Sequence, residues 1–327
     1  MTTKTNFKLF YLRLFYFFAI SMFYILPTNA DESLYSHAIA QLQQKFANNE
    51  QKLLFQSRNH RVYLHGEKKD CVVINLHGLY QSPKDQQEIA EYFFKSGCNV
   101  ISPLLVGHWE QNETAFSEIG FEAWISQIEE ILKIALNLGE KIILAGHSNG
   151  GLVAFNIAAR NPSLISALVL FSPALKLTKT TLWLAEVGST LNLFSNKKTG
   201  IDFEYDHYKK PAYAGLLVRN LINSTFGESE QDRKNVYLNF KTPALIFSTA
   251  EDDVISNDEI LETQKLNPHI FKVIAYGKGS GVYHDNIQRG AKDVVINAPK
   301  SWVNPHLPEL QSIISQFLLK SDILKVK

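Results

Sequence analysis

Residues 141–151 read KIILAGHSNGG, and this stretch decides the fold. Its apolar part, residues 142–145, shows no alternation with polar residues, which predicts a strand covered on both faces, as in a parallel sheet. Gly146-His147-Ser148-Asn149-Gly150 follows directly, and small residues continue into a helix predicted at 148–160. A sharp strand-to-helix turn needs such small neighbours, because it brings the helix close to the strand.

Strands and helices alternate on both sides of this turn. Strands are predicted at 61–65, 71–76, 99–103, 167–171, 244–248 and 270–275, and helices at 82–95, 119–138 and 307–320. A first helix is predicted over 33–48, because Leu34, Ala38, Leu42 and Phe46 recur at four-residue spacing. The regular alternation predicts the α/β class, with a doubly wound, mostly parallel sheet.

The N-terminal 30 residues have the pattern of a signal peptide. Lys4, Lys8 and Arg13 precede the apolar run 14–26, and Thr28-Asn29-Ala30 forms a small-x-small end. This pattern predicts a signal peptide at 1–30 and a domain at 31–327 that is periplasmic or secreted. The alternative is an uncleaved segment that anchors the protein in the membrane, because the stretch counted from Leu9 approaches the length of a spanning helix.

Composition excludes several classes of function. With 33 basic and 32 acidic residues the net charge is +1, which argues against nucleic acid as a partner. A hydrophobic content of 45% is ordinary for a globular protein. The two cysteines cannot form a four-cysteine zinc site, and neither a zinc-binding HExxH motif nor a dinucleotide fingerprint occurs. We therefore expect no metal and no cofactor.

The acidic residues after the strand at 244–248 supply a candidate catalytic acid. Ser148 lies in a turn that exposes its hydroxyl, but a serine is a weak nucleophile at neutral pH. It needs a base, and the base needs an acid that orients it. Within Glu251-Asp252-Asp253 we predict Asp252 as the acid, and Asp253 is the alternative.

His284 is the predicted base. It follows the strand at 270–275 and a glycine-rich lead at 277–281, 32 residues after Asp252. His306 is the alternative, because it lies closer to the last helix. Five further histidines are interpreted as surface or structural residues: His37, His60, His65, His207 and His269.

Two backbone N–H groups are predicted to form an oxyanion hole, which needs donors aimed at the oxygen that becomes negative. Asn149, the residue after Ser148, supplies one. The other is Leu79, within His77-Gly78-Leu79-Tyr80 after the strand at 71–76. Gly78 lets the backbone come close to the substrate.

These motifs together resemble the α/β-hydrolase superfamily. The resemblance rests on HGL at 77–79, PLLVGHW at 103–109, GHSNGG at 146–151, AEDD at 250–253 and YHDN at 283–286. Within the superfamily the chain is similar to the monoacylglycerol lipase, lysophospholipase and carboxylesterase group, over roughly residues 60–320. The resemblance implies a sheet of about eight strands and a helical cap after the sixth strand, at about 174–241.

The resemblance also implies a pairing for the two cysteines. Cys71 and Cys98 start strands that are neighbours in the usual strand order of this fold. An exported chain reaches an oxidising compartment. We therefore predict a Cys71–Cys98 disulfide at the end of the sheet opposite the catalytic loops; the alternative is two buried free thiols.

The apolar start of the implied cap suggests the substrate. Residues 174–194 carry few charges, and Trp183, Leu184 and Val187 are predicted to bind an acyl chain. We predict a serine hydrolase that cleaves carboxylic esters through an acyl-enzyme on Ser148, with single-chain lipid esters as substrates and transient contact with a membrane surface. The alternatives are a small-ester carboxylesterase, a peptidase or an acyltransferase, or a binding protein without chemistry.

Overall fold

A seven-stranded sheet forms the centre of the part of the chain that the structure, a computed structural model, describes: residues 29–50, 60–108, 118–190, 194–195, 210–211, 213–294 and 299–324. The strands are β1 (Arg61–Tyr63), β2 (Lys69–Leu76), β3 (Asn99–Ser102), β4 (Gly139–His147), β5 (Ile165–Phe171), β6 (Ala244–Thr249) and β7 (Phe271–Tyr276). Their order is β1-β3-β2-β4-β5-β6-β7. Every neighbouring pair is parallel except β1 with β3.

Helices cover both faces of this sheet. They are α1 (Asn29–Glu50), α2 (Gln87–Lys95), α3 (Glu122–Ala135), α4 (Ser148–Arg160), α5 (Lys179–Thr190), α6 (Tyr213–Phe226), α7 (Glu230–Asn239), α8 (Asn257–Leu266) and α9 (Leu307–Lys320). Along β2, Val72 and Ile74 join the cluster that contains α1, α3 and α4, whereas Val73 joins the cluster that contains α2 and α9. Alternate side chains therefore pack on opposite faces, as a doubly wound sheet requires.

The predicted fold class is confirmed, but the strand count in the described residues is seven rather than about eight. The chain before β1 contributes the helix α1, which the residue spacing had predicted. Among the described strands, the insertion that resembles a cap follows the fifth, β5, and not the sixth. We call residues 174–241 the cap segment; its described helices and strands are α5, α6, α7 and a two-stranded ribbon of Phe194–Ser195 with Lys210–Pro211.

Helix α1 packs on the domain through one of its faces. Tyr35, Ala38, Leu42 and Phe46 are buried, and the Tyr35 hydroxyl accepts a hydrogen bond from Gly66 N–H (3.1 Å). The predicted signal peptide lies outside the described residues except for Asn29 and Ala30, which begin α1. In the described ranges, no helix combines the length and apolar character needed to cross a membrane. Cleavage after Ala30 stays a prediction.

Cys71 and Cys98 form a disulfide with a Cα–Cα distance of 4.8 Å. Cys71 lies in β2 and Cys98 directly precedes β3, and Val72 pairs with Asn99 across these parallel strands. Both cysteines are buried, at the end of the sheet opposite Ser148. The bridge therefore joins two neighbouring strands inside the core.

Replacing both cysteines by alanine is expected to lower the free energy of unfolding by about 3.5 kcal/mol. The bridge closes a loop with a sequence separation of 27, and the chain-entropy model gives this value for a loop of that length. Urea unfolding of the wild type and of the double variant measures the difference. Two titratable thiols in the unfolded, unreduced wild-type protein would contradict the bridge.

Candidate active site

The turn between β4 and α4 carries Ser148 in a strained backbone conformation. Ser148 has φ +51°, in the left-handed region that a serine rarely adopts. The turn depends on its glycines, because a Cβ on Gly146 would lie 2.6 Å from the backbone of Gly150. A Cβ on Gly150 would lie 2.3 Å from the carbonyl oxygen of Leu76 in β2. The close packing of α4 on β4 and β2 therefore holds the serine at the end of the sheet.

A continuous chain of hydrogen bonds joins Ser148, His284 and Asp252. The Ser148 hydroxyl donates to His284 Nε2 (3.0 Å), and His284 Nδ1–H donates to Asp252 Oδ2 (2.8 Å). The three residues come from three loops, which follow β4, β7 and β6 and meet at the carboxyl ends of those strands. The structure thus brings together the three side chains that the sequence pattern singled out.

Asp252 is held by its own turn. Its Oδ1 atom accepts hydrogen bonds from Val254 N–H (2.9 Å) and Ile255 N–H (2.7 Å), which leaves Oδ2 for His284. Asp253, the alternative acid, has an exposed side chain, and the structure places Asp252 rather than Asp253 against His284.

Burial and charge act in opposite directions on the two ionisable partners. Burial raises the pKa of Asp252, but the charge of His284 and hydrogen bonds from His284, Ile255 and Val254 outweigh it, so the pKa is lowered. Burial lowers the pKa of His284, but the charge and hydrogen bond of Asp252 outweigh it, with contributions from Asp285 and Asp253, so the pKa is raised. An ionised acid therefore stabilises the protonated base.

The loop after β2 lies beside the serine turn, because β2 and β4 are neighbours and Leu76 pairs with Gly146. Gly78 N–H donates to Gln81 Oε1 (3.0 Å), which closes the loop across Leu79, and Leu105 N–H donates to His77 Nε2 (3.0 Å), which anchors the start of the loop. Leu79 itself is half-buried, whereas Asn149 is buried directly after Ser148. Asn149 is thus the neighbour of the serine along the chain, and Leu79 lies in the loop beside the serine turn; their role as oxyanion donors stays a prediction.

His147 has contacts that the sequence pattern did not predict. Its ring nitrogens lie 2.8 Å from Gln81 Oε1 and 2.9 Å from the carbonyl oxygen of His284. Burial, with the nearby charge of His284, holds the pKa of His147 well below its ordinary value. The ring connects the serine turn with the loops of His284 and Leu79. Only its position next to Ser148 could have drawn attention to it.

His306, the alternative base, lies away from Ser148. Its Nε2 atom is 3.2 Å from the carbonyl oxygen of Ser280, and its ring stacks on Tyr276. It therefore contacts the glycine-rich lead to His284.

The three predicted acyl-binding residues of the cap segment lie on α5, and the structure does not place Trp183 and Leu184 in the interior. Their side chains are 59% and 56% exposed, whereas Val187 is half-buried and Ala185 is buried. α5 packs closely on α6, since a Cβ on Gly215 would lie 2.8 Å from the Ala185 Cβ. Trp183 and Leu184 therefore form an exposed apolar surface.

In the described ranges, no group of three or more His, Cys, Asp or Glu side chains could hold a metal ion.

The sheet order and the serine turn define an α/β-hydrolase. Residues 67–286 match the model of the Hydrolase_4 family, described as serine aminopeptidase, S33, and the chain belongs to this family. The sequence-based prediction of a hydrolase in this superfamily is confirmed.

Known relatives lie in the predicted group. The thermostable monoacylglycerol lipase of Bacillus sp. (strain H-257) is 26% identical over 187 residues, which cover 56% of this chain and 71% of the relative. The structure of a soluble variant of monoglyceride lipase from Saccharomyces cerevisiae has a TM-score of 0.61 at 13% identity, covering 80% of this chain and 91% of the other. The structure of monoacylglycerol lipase from Paleococcus ferrophilus has a TM-score of 0.56 at 17% identity, covering 80% of this chain and 98% of the other. The two structures share the fold.

Proposed function

We propose that this protein is a carboxylic ester hydrolase that works through an acyl-enzyme on Ser148, with single-chain lipid esters as its substrates. The hydrogen-bonded chain from Ser148 through His284 to Asp252 is the observation that carries the proposal. A binding protein would need neither these hydrogen bonds nor the strained serine turn. Backbone strain costs free energy and persists only where the surrounding structure holds it, so its presence favours a catalytic role.

In the proposed mechanism, His284 takes the proton of the Ser148 hydroxyl while Oγ bonds to the acyl carbon. Asp252 stabilises the imidazolium that forms, which agrees with the raised pKa of His284. The N–H groups of Leu79 and Asn149 stabilise the negative oxygen. His284 then returns the proton to the leaving alcohol, and water attacks the acyl-enzyme with His284 as the base a second time.

The cap segment and the relatives support a lipid ester. One relative is named a monoacylglycerol lipase, and the exposed pair Trp183 and Leu184 gives α5 an apolar surface suited to a lipid chain or a membrane surface.

We further propose that the protein is exported through residues 1–30, which agrees with its disulfide. N-terminal sequencing of the exported protein tests this, because cleavage after Ala30 would leave Asp31 first.

Assays with four substrate types test the proposed activity. p-Nitrophenyl esters, monoacylglycerols, lysophospholipids and aminoacyl p-nitroanilides should be compared, with the Ser148→Ala variant as the blank. Hydrolysis of long-chain esters and single-chain lipids is expected. Hydrolysis of the anilides alone would contradict an ester hydrolase and favour a peptidase, and a maximum at acetate would favour a small-ester carboxylesterase.

Trp183→Ala is expected to flatten the rise of kcat/KM from acetyl to long-chain p-nitrophenyl esters, by roughly tenfold at the long-chain end. Each methylene that the protein buries contributes up to ~0.8 kcal/mol, so removing apolar surface affects long chains most. Leu319→Ala is the matched control, because Leu319 is also exposed but lies on α9 at the other face of the sheet. An equal loss at every chain length would contradict acyl binding by Trp183.

A further inference from the structure

Two peptide groups donate hydrogen bonds to Asp252 Oδ1, the carboxylate oxygen that does not bind His284. The peptide between Asp253 and Val254 donates the Val254 N–H to Asp252 Oδ1, and the next peptide donates the Ile255 N–H to the same atom. Each of these peptides also has a carbonyl oxygen at its opposite end. Whatever binds those two oxygens sets the direction in which both N–H groups point.

Thr178 binds both carbonyl oxygens. Its hydroxyl donates to the carbonyl oxygen of Asp253 (3.0 Å), and its backbone N–H donates to that of Val254 (2.9 Å). Thr178 belongs to the cap segment and directly precedes α5, where its hydroxyl also accepts from Thr181 N–H (3.3 Å). A single residue of the cap segment thus contacts both peptides that hold the acid.

Neighbouring bonds extend this contact into a short ladder. Leu177 pairs with Ile255 as an antiparallel bridge, and Ser256 N–H donates to the carbonyl oxygen of Lys176 (2.9 Å). The Thr181 hydroxyl lies 2.9 Å from that of Thr178 and 3.4 Å from the carbonyl oxygen of Asp253. The start of α5 and the turn of Asp252 are therefore bound together as one unit.

We propose that Thr178 is a positioning residue for Asp252, so that the cap segment helps to align the acid as well as to bind substrate. This inference rests on the proposed function. A hydrogen bond to a carbonyl oxygen polarises its peptide and strengthens the bond that the N–H makes at the other end. Thr178 thereby fixes the carboxylate that orients His284, although it touches neither the substrate nor His284.

Thr178→Val tests the role of the hydroxyl alone, because valine keeps the shape and the backbone N–H. We expect kcat to fall roughly fivefold to tenfold, equally for acetyl and long-chain esters and with little change in KM. Thr178→Ser keeps the hydroxyl and is expected to restore kcat. Thr263→Val is the matched control, because the Thr263 hydroxyl donates only within α8, to the carbonyl oxygen of Ile260 (2.7 Å).

A double-mutant cycle separates positioning from general stability. If Thr178 acts through Asp252, then Thr178→Val lowers the rate at which a fluorophosphonate labels Ser148 when Asp252 is present, but hardly changes it in Asp252→Ala, which has no carboxylate for the two N–H groups to hold. Thermal unfolding identifies a variant that fails to fold, in which case Thr178→Ala replaces Thr178→Val. An unchanged kcat, no recovery with serine, or an equal loss in the Asp252→Ala background would overturn the inference. A wild type that is neither labelled nor active on esters would instead contradict the proposed function.

Discussion

Ser148→Ala is expected to lower kcat/KM for p-nitrophenyl esters by a factor on the order of 10⁴ or more. The serine, the base and the acid act as a unit, so removing the nucleophile removes the covalent route entirely. The remaining rate reflects substrate binding and the oxyanion donors alone. Ester hydrolysis under initial-rate conditions measures the loss, and a fluorophosphonate should label the wild type but not the variant.

His284→Ala is expected to cause a loss of the same order, because Ser148 Oγ would have no acceptor for its proton. His306→Ala is the matched control, because His306 contacts the loop that leads to His284 but not Ser148. We expect it to keep most of the activity. A result in which His306→Ala abolishes hydrolysis and His284→Ala does not would contradict the assignment of the base.

The order of the strands and helices could be predicted from local pattern, because central strands such as β5 are apolar over most of their length and buried. The residues of α1 that face the core were harder to predict. Four-residue spacing suggested Leu34, Ala38, Leu42 and Phe46, but Leu34 is 49% exposed and Tyr35 is buried in its place. A helix has 3.6 residues per turn, so strict four-residue spacing drifts away from one face.

Contacts across loops could not be predicted from sequence spacing. The ring of His147 reaches the carbonyl oxygen of His284, a backbone atom whose direction depends on the folded loop. Thr178 likewise reaches the turn of Asp252 through carbonyl oxygens about 75 positions away. The exposure of Trp183 was also missed, because α5 turns only one face toward α6, and an apolar sequence does not say which side chains point outward.

Asp252→Asn is expected to lower kcat by roughly 10³- to 10⁴-fold, a severe loss but a smaller one than in Ser148→Ala or His284→Ala. Asparagine preserves the shape and still accepts from the N–H groups of Val254 and Ile255, but it lacks the charge that stabilises protonated His284. Its amide can also favour the wrong tautomer of the imidazole. The initial rate of ester hydrolysis at saturating substrate measures this effect.

The pH dependence of kcat/KM gives a second measurement of the same variant. Only neutral His284 can accept the serine proton, so activity falls as pH drops below the pKa of His284. Because Asp252 is the main group that raises this pKa, Asp252→Asn should move the acid limb to lower pH. Asp253→Asn is the matched control: its side chain is exposed and makes a smaller contribution, so kcat should change little and the limb should move less in the same direction. A severe loss in Asp253→Asn with a mild one in Asp252→Asn would assign the acid to Asp253, against the hydrogen bond between Asp252 and His284.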